Sequence, residues 1–275
     1  MALDLVVTTP ASANVSIAAT APPGFRIEPA AATRTVASNG LPTAARVPFT
    51  VTVPANTPEG EYKVTVTARM PGAAAITRTA KVVVRLGRCA GATGAFCPLD
   101  LGRDYNHDGV ATLAATDQGN FDDSGWSYAA NLLPAAGPTT IGGIPYAAPS
   151  TAGTDANFVE AQGQSLALPE GGWATAYVLG ATHNGNVDTA ATVTYSDGSS
   201  QTLPLRLTDW AGGPAFENTK EIAMPYRIRA GQGQDGPPVA IFGTRLALDP
   251  AKTPRSIALP GDRRMEIYAL TLARE

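Results

Sequence analysis

The feature that most constrains this chain is strict alternation of apolar and polar residues over short runs, each closed by Gly, Pro, Asn or Asp. Phe49, Val51 and Val53 alternate with Thr50 and Thr52. After Pro54-Ala55-Asn56-Thr57-Pro58-Glu59-Gly60 the pattern returns, with Tyr62, Val64 and Val66 against Lys63, Thr65 and Thr67. A period of two with polar partners marks antiparallel strands that bury one face. Residues 5–8, 15–18 and 76–84 repeat this grammar, and no capped helix-period segment interrupts it. Strands at that spacing predict a small Ig-like sandwich over residues 1–86. The 28 Gly and 23 Pro of the 275 residues suit short strands joined by tight turns. Only 16% of residues are charged, less than a disordered chain needs.

A second all-β region is expected over 99–275. Residues 174–179 form an apolar run without alternation, which suits a strand covered on both faces. Ala191, Val193 and Tyr195 alternate with Thr192 and Thr194, and Ser196-Asp197-Gly198-Ser199 supplies a hairpin turn before Leu203, Leu205 and Leu207. Residues 239–242, 255–259 and 267–272 read as further strands, and the size and spacing fit a jelly-roll sandwich. Between the two regions, 87–98 reads as a linker holding the only cysteines, Cys89 and Cys97. A disulfide between them is the favoured reading, and it implies secretion into an oxidising space. Two free thiols in a cytosolic protein is the alternative; zinc fits less well, because no second pair of Cys or His lies at ligand spacing.

The formal net charge of −3, with no basic run longer than Arg263-Arg264, argues against nucleic acid or an anionic membrane surface as partner. No apolar stretch approaches membrane-spanning length. Met1-Ala2 carries no signal-peptide pattern and reads as an expression start ahead of a domain cut from a longer protein.

The run from Val51 to Tyr62, with its strand, P-x-x-x-x-x-G-x-Y turn and return strand, resembles the Ig-like accessory domain found beside catalytic domains of bacterial alpha-galactosidases. The second region resembles an accessory domain at the C-terminal end of many actinobacterial glycosidases. The segments that carry this are Tyr105-Asn106-His107-Asp108-Gly109, Asn120-Phe121-Asp122-Asp123-Ser124-Gly125, Thr194-Tyr195-Ser196-Asp197-Gly198, Thr208-Asp209-Trp210 and Pro225-Tyr226-Arg227. Together the resemblances imply an Ig-like sandwich followed by a galactose-binding-like jelly roll. They further imply a non-catalytic region covalently linked to a catalytic domain, with a glycan as partner.

Catalytic motifs are missing from the sequence. Neither His107 nor His183 lies beside a Gly-x-Ser-x-Gly elbow. His183, in Thr182-His183-Asn184-Gly185, reads as a turn residue at a strand end. The alternating strands and helices of a TIM barrel are also lacking. The sharpest local motif is Asp104-Tyr105-Asn106-His107-Asp108-Gly109, whose alternating oxygens followed by Gly form the first half of a calcium loop. Ala115 stands where an EF-hand needs Glu, so Asp104, Asn106 and Asp108 would need Asp122 or Asp123 to complete a structural Ca2+ site. A polar turn without an ion is the alternative.

Sugar recognition pairs an aromatic face with amides and carboxylates for the hydroxyls. The candidates are Trp126, Tyr128, Trp210, Tyr226 and Arg227, with Asn157, Gln162 and Gln164 as planar donors and acceptors. Trp126, among turn residues, is expected to be exposed, and Trp173, entering an apolar strand, to be core. A spacer that packs on the catalytic domain without binding sugar is the rival reading; an independent β-sandwich hydrolase ranks last.

Overall fold

The two ten-residue runs around Val51 and Val64 are strands of the first unit, Met1–Leu86, whose described residues carry seven strands. The structure is a computed structural model that describes residues 2–9, 12–37, 43–54 and 57–274, with side chains described in 12–37, 46–54 and 57–274. Ala55 and Asn56 of the expected turn, and Met1, lie outside the described residues. The strands are β1 (Ala2–Thr9), β2 (Ala13–Thr20), β3 (Arg26–Glu28), β4 (Ala31–Val36), β5 (Thr43–Thr52), β6 (Gly60–Arg69) and β7 (Ile76–Val84). They form two antiparallel sheets, ordered β1-β5-β3 and β4-β2-β6-β7. Alternation decides which side chains enter the core: Val15 and Ile17 from β2, Val47, Phe49 and Val51 from β5, and Val64 and Val66 from β6 are all buried. At the return to β6, the Thr57 hydroxyl donates to Pro54 O (2.8 Å) and the Tyr62 hydroxyl to Pro58 O (2.8 Å). Those two bonds give the Pro and Tyr of that sequence motif a structural role.

Among its described residues the second unit, Gly87–Glu275, carries sixteen strands and one single-turn 3-10 helix, Ala130–Leu132. The chain enters through β8 (Phe96–Pro98), β9 (Val110–Ala111), β10 (Trp126–Ala129), β11 (Gly137–Ile141) and β12 (Ile144–Ala148). Next come β13 (Val159–Glu160), β14 (Ser165–Ala167), β15 (Thr175–Thr182), β16 (Val187–Tyr195) and β17 (Ser200–Leu207). It ends with β18 (Thr219–Met224), β19 (Arg227–Arg229), β20 (Gly233–Asp235), β21 (Val239–Ala247), β22 (Pro254–Ala258) and β23 (Met265–Ala273). The largest sheet runs β13-β23-β15-β21-β18, with β8 also paired to β23. A four-stranded sheet, β14-β22-β16-β17, packs on one of its faces through Val193, Leu205, Leu207 and Ile257. The other face carries an aromatic core that includes Phe121, Tyr128, Phe158, Trp210 and Tyr268. With a core on each side, every residue of β23 is buried, which is why β15 and β23 lack alternation.

Turn chemistry fixes two hairpins. Asp197 Oδ1 accepts from Ser199 N (2.9 Å) and Gly198 takes φ +83°, closing β16 onto β17. Asn184 and Gly185 both have positive φ between β15 and β16, as an Asn-Gly turn requires.

The stretch 87–98, expected as a linker, is built into the second unit. Cys97 in β8 pairs with Leu272 of β23, and Leu99 N donates to Leu270 O (2.8 Å). Cys89 and Cys97 form a disulfide, with Cα atoms 5.1 Å apart. At Gly87 a Cβ would lie 2.3 Å from Ala167 O, so the backbone itself is packed there. No helix among the described residues is long and apolar enough to cross a membrane.

Candidate functional site

The residues expected to meet sugar divide between core and surface. Tyr128 is fully buried, Trp210 is 3% exposed and Asn157 is 1% exposed. This corrects the expectation that they form a binding face. Phe121 explains the aromatics: its ring lies 4.6 Å from Tyr128, 5.2 Å from Phe158 and 4.7 Å from Trp210, as an interlocked cluster filling space under the large sheet. The Tyr128 hydroxyl donates to Ala240 O (2.8 Å), which satisfies its polar end in the core. Asn157 accepts from Gly109 N (2.9 Å) and donates to Asp108 Oδ1 (2.7 Å) and Asp155 O (2.9 Å), leaving it a structural tie. Trp173 is core, as expected, at 5% exposed. Gln162 and Gln164 are spent locally, on each other and on Glu160.

Trp126, expected to be exposed, is half-buried, as is Tyr226, and the Arg227 side chain is only 15% exposed. Trp126 stands opposite Arg229 across β10 and β19, and Arg227 opposite Asp235 across β19 and β20. Period-two geometry therefore puts Trp126, Arg227, Arg229 and Asp235 on one face, with Ser127 and Ile228 on the buried side. The guanidinium carbon of Arg227 lies 4.6 Å from the Trp126 ring centre and 5.5 Å from that of Trp210, and that of Arg229 lies 4.9 Å from Trp126. Trp126 Nε1 donates to Asp235 Oδ2 (2.7 Å), and Arg227 Nη2 is 3.6 Å from the same oxygen. Asn131 Nδ2 donates to the Tyr226 hydroxyl (2.9 Å) just outside this shelf. The half-buried indole is thus held rigid, with guanidinium groups over its ring.

The residues of the expected calcium loop are drawn into separate hydrogen-bond sets. Asn106 accepts from Glu160 N (2.7 Å) and donates to Glu160 O (3.2 Å), acting as an extra strand rung. Asp108 Oδ1 accepts from Val110 N (3.2 Å) as well as Asn157. Asp122 Oδ1 accepts from the Ser124 and Trp126 amides, and Asp104 lies near the surface. Among the described residues no three His, Cys, Asp or Glu side chains gather as a metal set. Gly109 serves packing here: a Cβ would lie 2.9 Å from both the Phe121 and Phe158 rings.

Sequence reasoning missed a cluster of titratable groups. His107 Nδ1 and Glu266 Oε1 lie 2.5 Å apart, with the Glu266 side chain wholly buried. Burial pushes the Glu266 carboxyl up to about 7, against the opposing pull of His107. Burial, the largest single influence, would lower the His107 value, but the bond and charge of Glu266 together with the charges of Glu160 and Asp123 outweigh it and leave the value raised. Glu160 is pushed up by burial and held below its ordinary value by bonds from Arg263 and Gln162. The sequence signal was a lone Glu in the otherwise apolar run of β23. A groove of about 470 Å³ was also missed, with Asp100, Tyr105, Ser150 and Asp155 among its walls.

These features define an all-β protein whose larger unit is a β-sandwich with an aromatic underlayer and a fixed Trp–Arg shelf. The chain belongs to the AziU2-like beta-sandwich domain family, whose model matches residues 95–275. Residues 7–71 match the NPCBM-associated, NEW3 domain of alpha-galactosidase, in line with the resemblance seen around the 51–62 hairpin. No curated protein matches the chain. A solved structure from work on the promiscuous specificity of carbohydrate-binding modules of the beta-sandwich superfamily is 12% identical. It aligns over 98% of this chain and 96% of its own at a TM-score of 0.20, too slight a likeness to carry an argument.

Proposed function

We propose that the chain is a non-catalytic accessory region of a secreted glycoside hydrolase, covalently linked to the catalytic domain and contacting its glycan. The observation that carries this reading is the shelf around Trp126. An indole fixed by Asp235 and flanked by Arg227, Arg229, Tyr226 and Asn131 offers planar donors and apolar surface from a rigid sheet. The match of residues 7–71 to a domain described as alpha-galactosidase-associated supports the glycosidase context. The Cys89–Cys97 disulfide supports export. Mechanistically, weak contact of the tethered module raises the effective concentration of the catalytic domain at its glycan.

The spacer reading draws on a specific observation: Tyr128 and Trp210 are core residues, while Ile76 and Val83 on the edge strand β7 are each 53% exposed. A glycan array on the whole chain and on Trp126→Ala separates the two. Binding that is lost in the variant is the expected result. No binding to any plant, microbial or host glycan, with retained association to a catalytic partner, overturns the proposal in favour of the spacer.

A further inference from the structure

The shelf around Trp126 is unbalanced in charge, and its arginines are short of acceptors. β19 lies between β10 and β20, so Arg227 and Arg229, two residues apart on β19, share one face of this small sheet. The Trp126 indole starts opposite Arg229 and reaches across β19 to Asp235 on β20. The guanidinium carbons of Arg227 and Arg229 lie 4.6 and 4.9 Å from its ring centre. What the shelf presents to a ligand is therefore cationic donor more than bare ring.

Asp235 is the carboxylate of this cluster, and it is already committed. Its Oδ2 accepts from Trp126 Nε1 (2.7 Å) and stands 3.6 Å from Arg227 Nη2, beyond hydrogen-bond length. The Arg227 guanidinium makes no hydrogen bond to any described residue, and its Nε is buried without a partner. The Trp126 and Trp210 rings take up part of its charge but leave the in-plane N–H groups without an acceptor. Arg229 is exposed, with no carboxylate at ion-pair distance among the described residues. Asp122 turns its Oδ1 to the Ser124 and Trp126 amides, and Asp117, beside Gly231 in the β19–β20 turn, pairs with neither arginine. Two guanidinium groups against one committed carboxylate leave positive charge here, in a chain whose net charge is −3. A mostly buried guanidinium without acceptors is costly, and a ligand oxyanion that fills its open fork removes that penalty.

We propose that the sugar residue taken by this shelf is acidic: a carboxylate or sulfate ester on a pyranose ring accepts in-plane bonds from the Arg227 and Arg229 guanidinium groups. The choice of a sugar as carrier of the oxyanion rests on the accessory reading above; the unpaired guanidinium groups do not. A neutral sugar brings only hydroxyl oxygens to the same donors and leaves both charges uncompensated. An uncharged form of the same ring should therefore bind about tenfold more weakly. Arg229 is exposed, so the affinity for the acidic form should also fall as salt is raised.

The test is calorimetric titration of the whole chain with two matched pairs: trigalacturonate against its methyl ester, and a sulfated galactan fragment against the unsulfated one. Saturable binding of at least one acidic ligand, about tenfold weaker binding of its neutral partner, and loss of affinity with added NaCl are the expected results; the pair that responds tells which oxyanion the site takes. Arg229→Gln changes an exposed side chain and leaves both indoles in place, so it should weaken acidic binding about tenfold at an unchanged melting temperature. Arg227→Lys, which keeps the charge but not the planar fork, should weaken it similarly. A neutral partner bound as tightly as its acid, or full acidic binding by either variant, would overturn the inference. Neutral glycans bound by the wild type and lost in Trp126→Ala, with both acidic ligands silent, would overturn it and leave the accessory reading standing. No glycan bound, neutral or acidic, would remove the accessory reading as well.

Discussion

Single residues in the second unit divide sharply between those that hold the fold and those that face solvent, and nearest neighbours differ. Trp210 touches Phe121 and Tyr128 in the core, so Trp210→Ala should cost about 3–5 kcal/mol of unit stability in urea unfolding. Trp126→Ala removes two cation–π contacts and one hydrogen bond, and about 1–2 kcal/mol is expected. Equal losses would contradict the assignment of one to core and the other to the shelf. The His107–Glu266 pair makes stability depend on pH. The Glu266 carboxyl is raised from 4.5 to about 7, and His107 is raised above 6.5, so the folded state keeps protons that the unfolded chain has released. Their contribution is complete below the unfolded values and is lost as pH rises through the folded ones. Melting temperature should therefore fall as pH is raised from 4.5 past about 7, and Glu266→Gln should flatten that slope. A wild-type profile with no fall across this window would show that the pair holds no extra proton.

At the scale of elements, alternation was legible and covered strands were legible as runs. β5, β6, β16 and β17 follow the expected period, β15 follows the expected unbroken apolar stretch, and β23 falls where a further strand was expected. Short strands such as β9, β10, β19 and β20 were not legible, because two to four residues carry no measurable period and exist only where a partner fixes them. β8 belongs to this class and gains a covalent brace. Closing the loop between Cys89 and Cys97 restricts the unfolded chain, and removing it through Cys89→Ser/Cys97→Ser should cost about 2–3 kcal/mol. Denaturant melts of the oxidised, reduced and double-variant protein check this. The reduced wild type should match the variant, and an oxidised form no more stable than either would contradict it.

At the scale of the molecule, two units with separate cores follow one another in the chain. Phe49 and Ile17 anchor the first core, and Phe121, Leu207 and Ile267 anchor those of the second. Calorimetry should resolve two transitions, one lowered by Phe49→Ala and the other by Trp210→Ala. A single transition displaced by both variants would show that the units melt as one. The sandwich class was readable from strand spacing, and the family match over 95–275 agrees with a β-sandwich.

The sequence by itself determined the strand period, the turn residues and the cysteine pair, because those depend on neighbours within a few positions. Only tertiary structure decided what the aromatics and carboxylates are for. Tyr128 sits in Gly- and Asp-rich surroundings and Trp210 where a strand opens into a Gly-rich loop, yet Phe121 and Phe158 draw Tyr128, and Phe121 draws Trp210, into one core. Asp108 belongs to a sequence that reads as an ion loop, yet it is tied to Asn157, 49 positions away. Glu266 meets His107 across 159 positions, and Asp100 and Asp155 come to one groove from different segments. Burial and long-range pairing are properties of the packed chain, and they decide whether a polar or aromatic side chain holds the fold or meets a ligand.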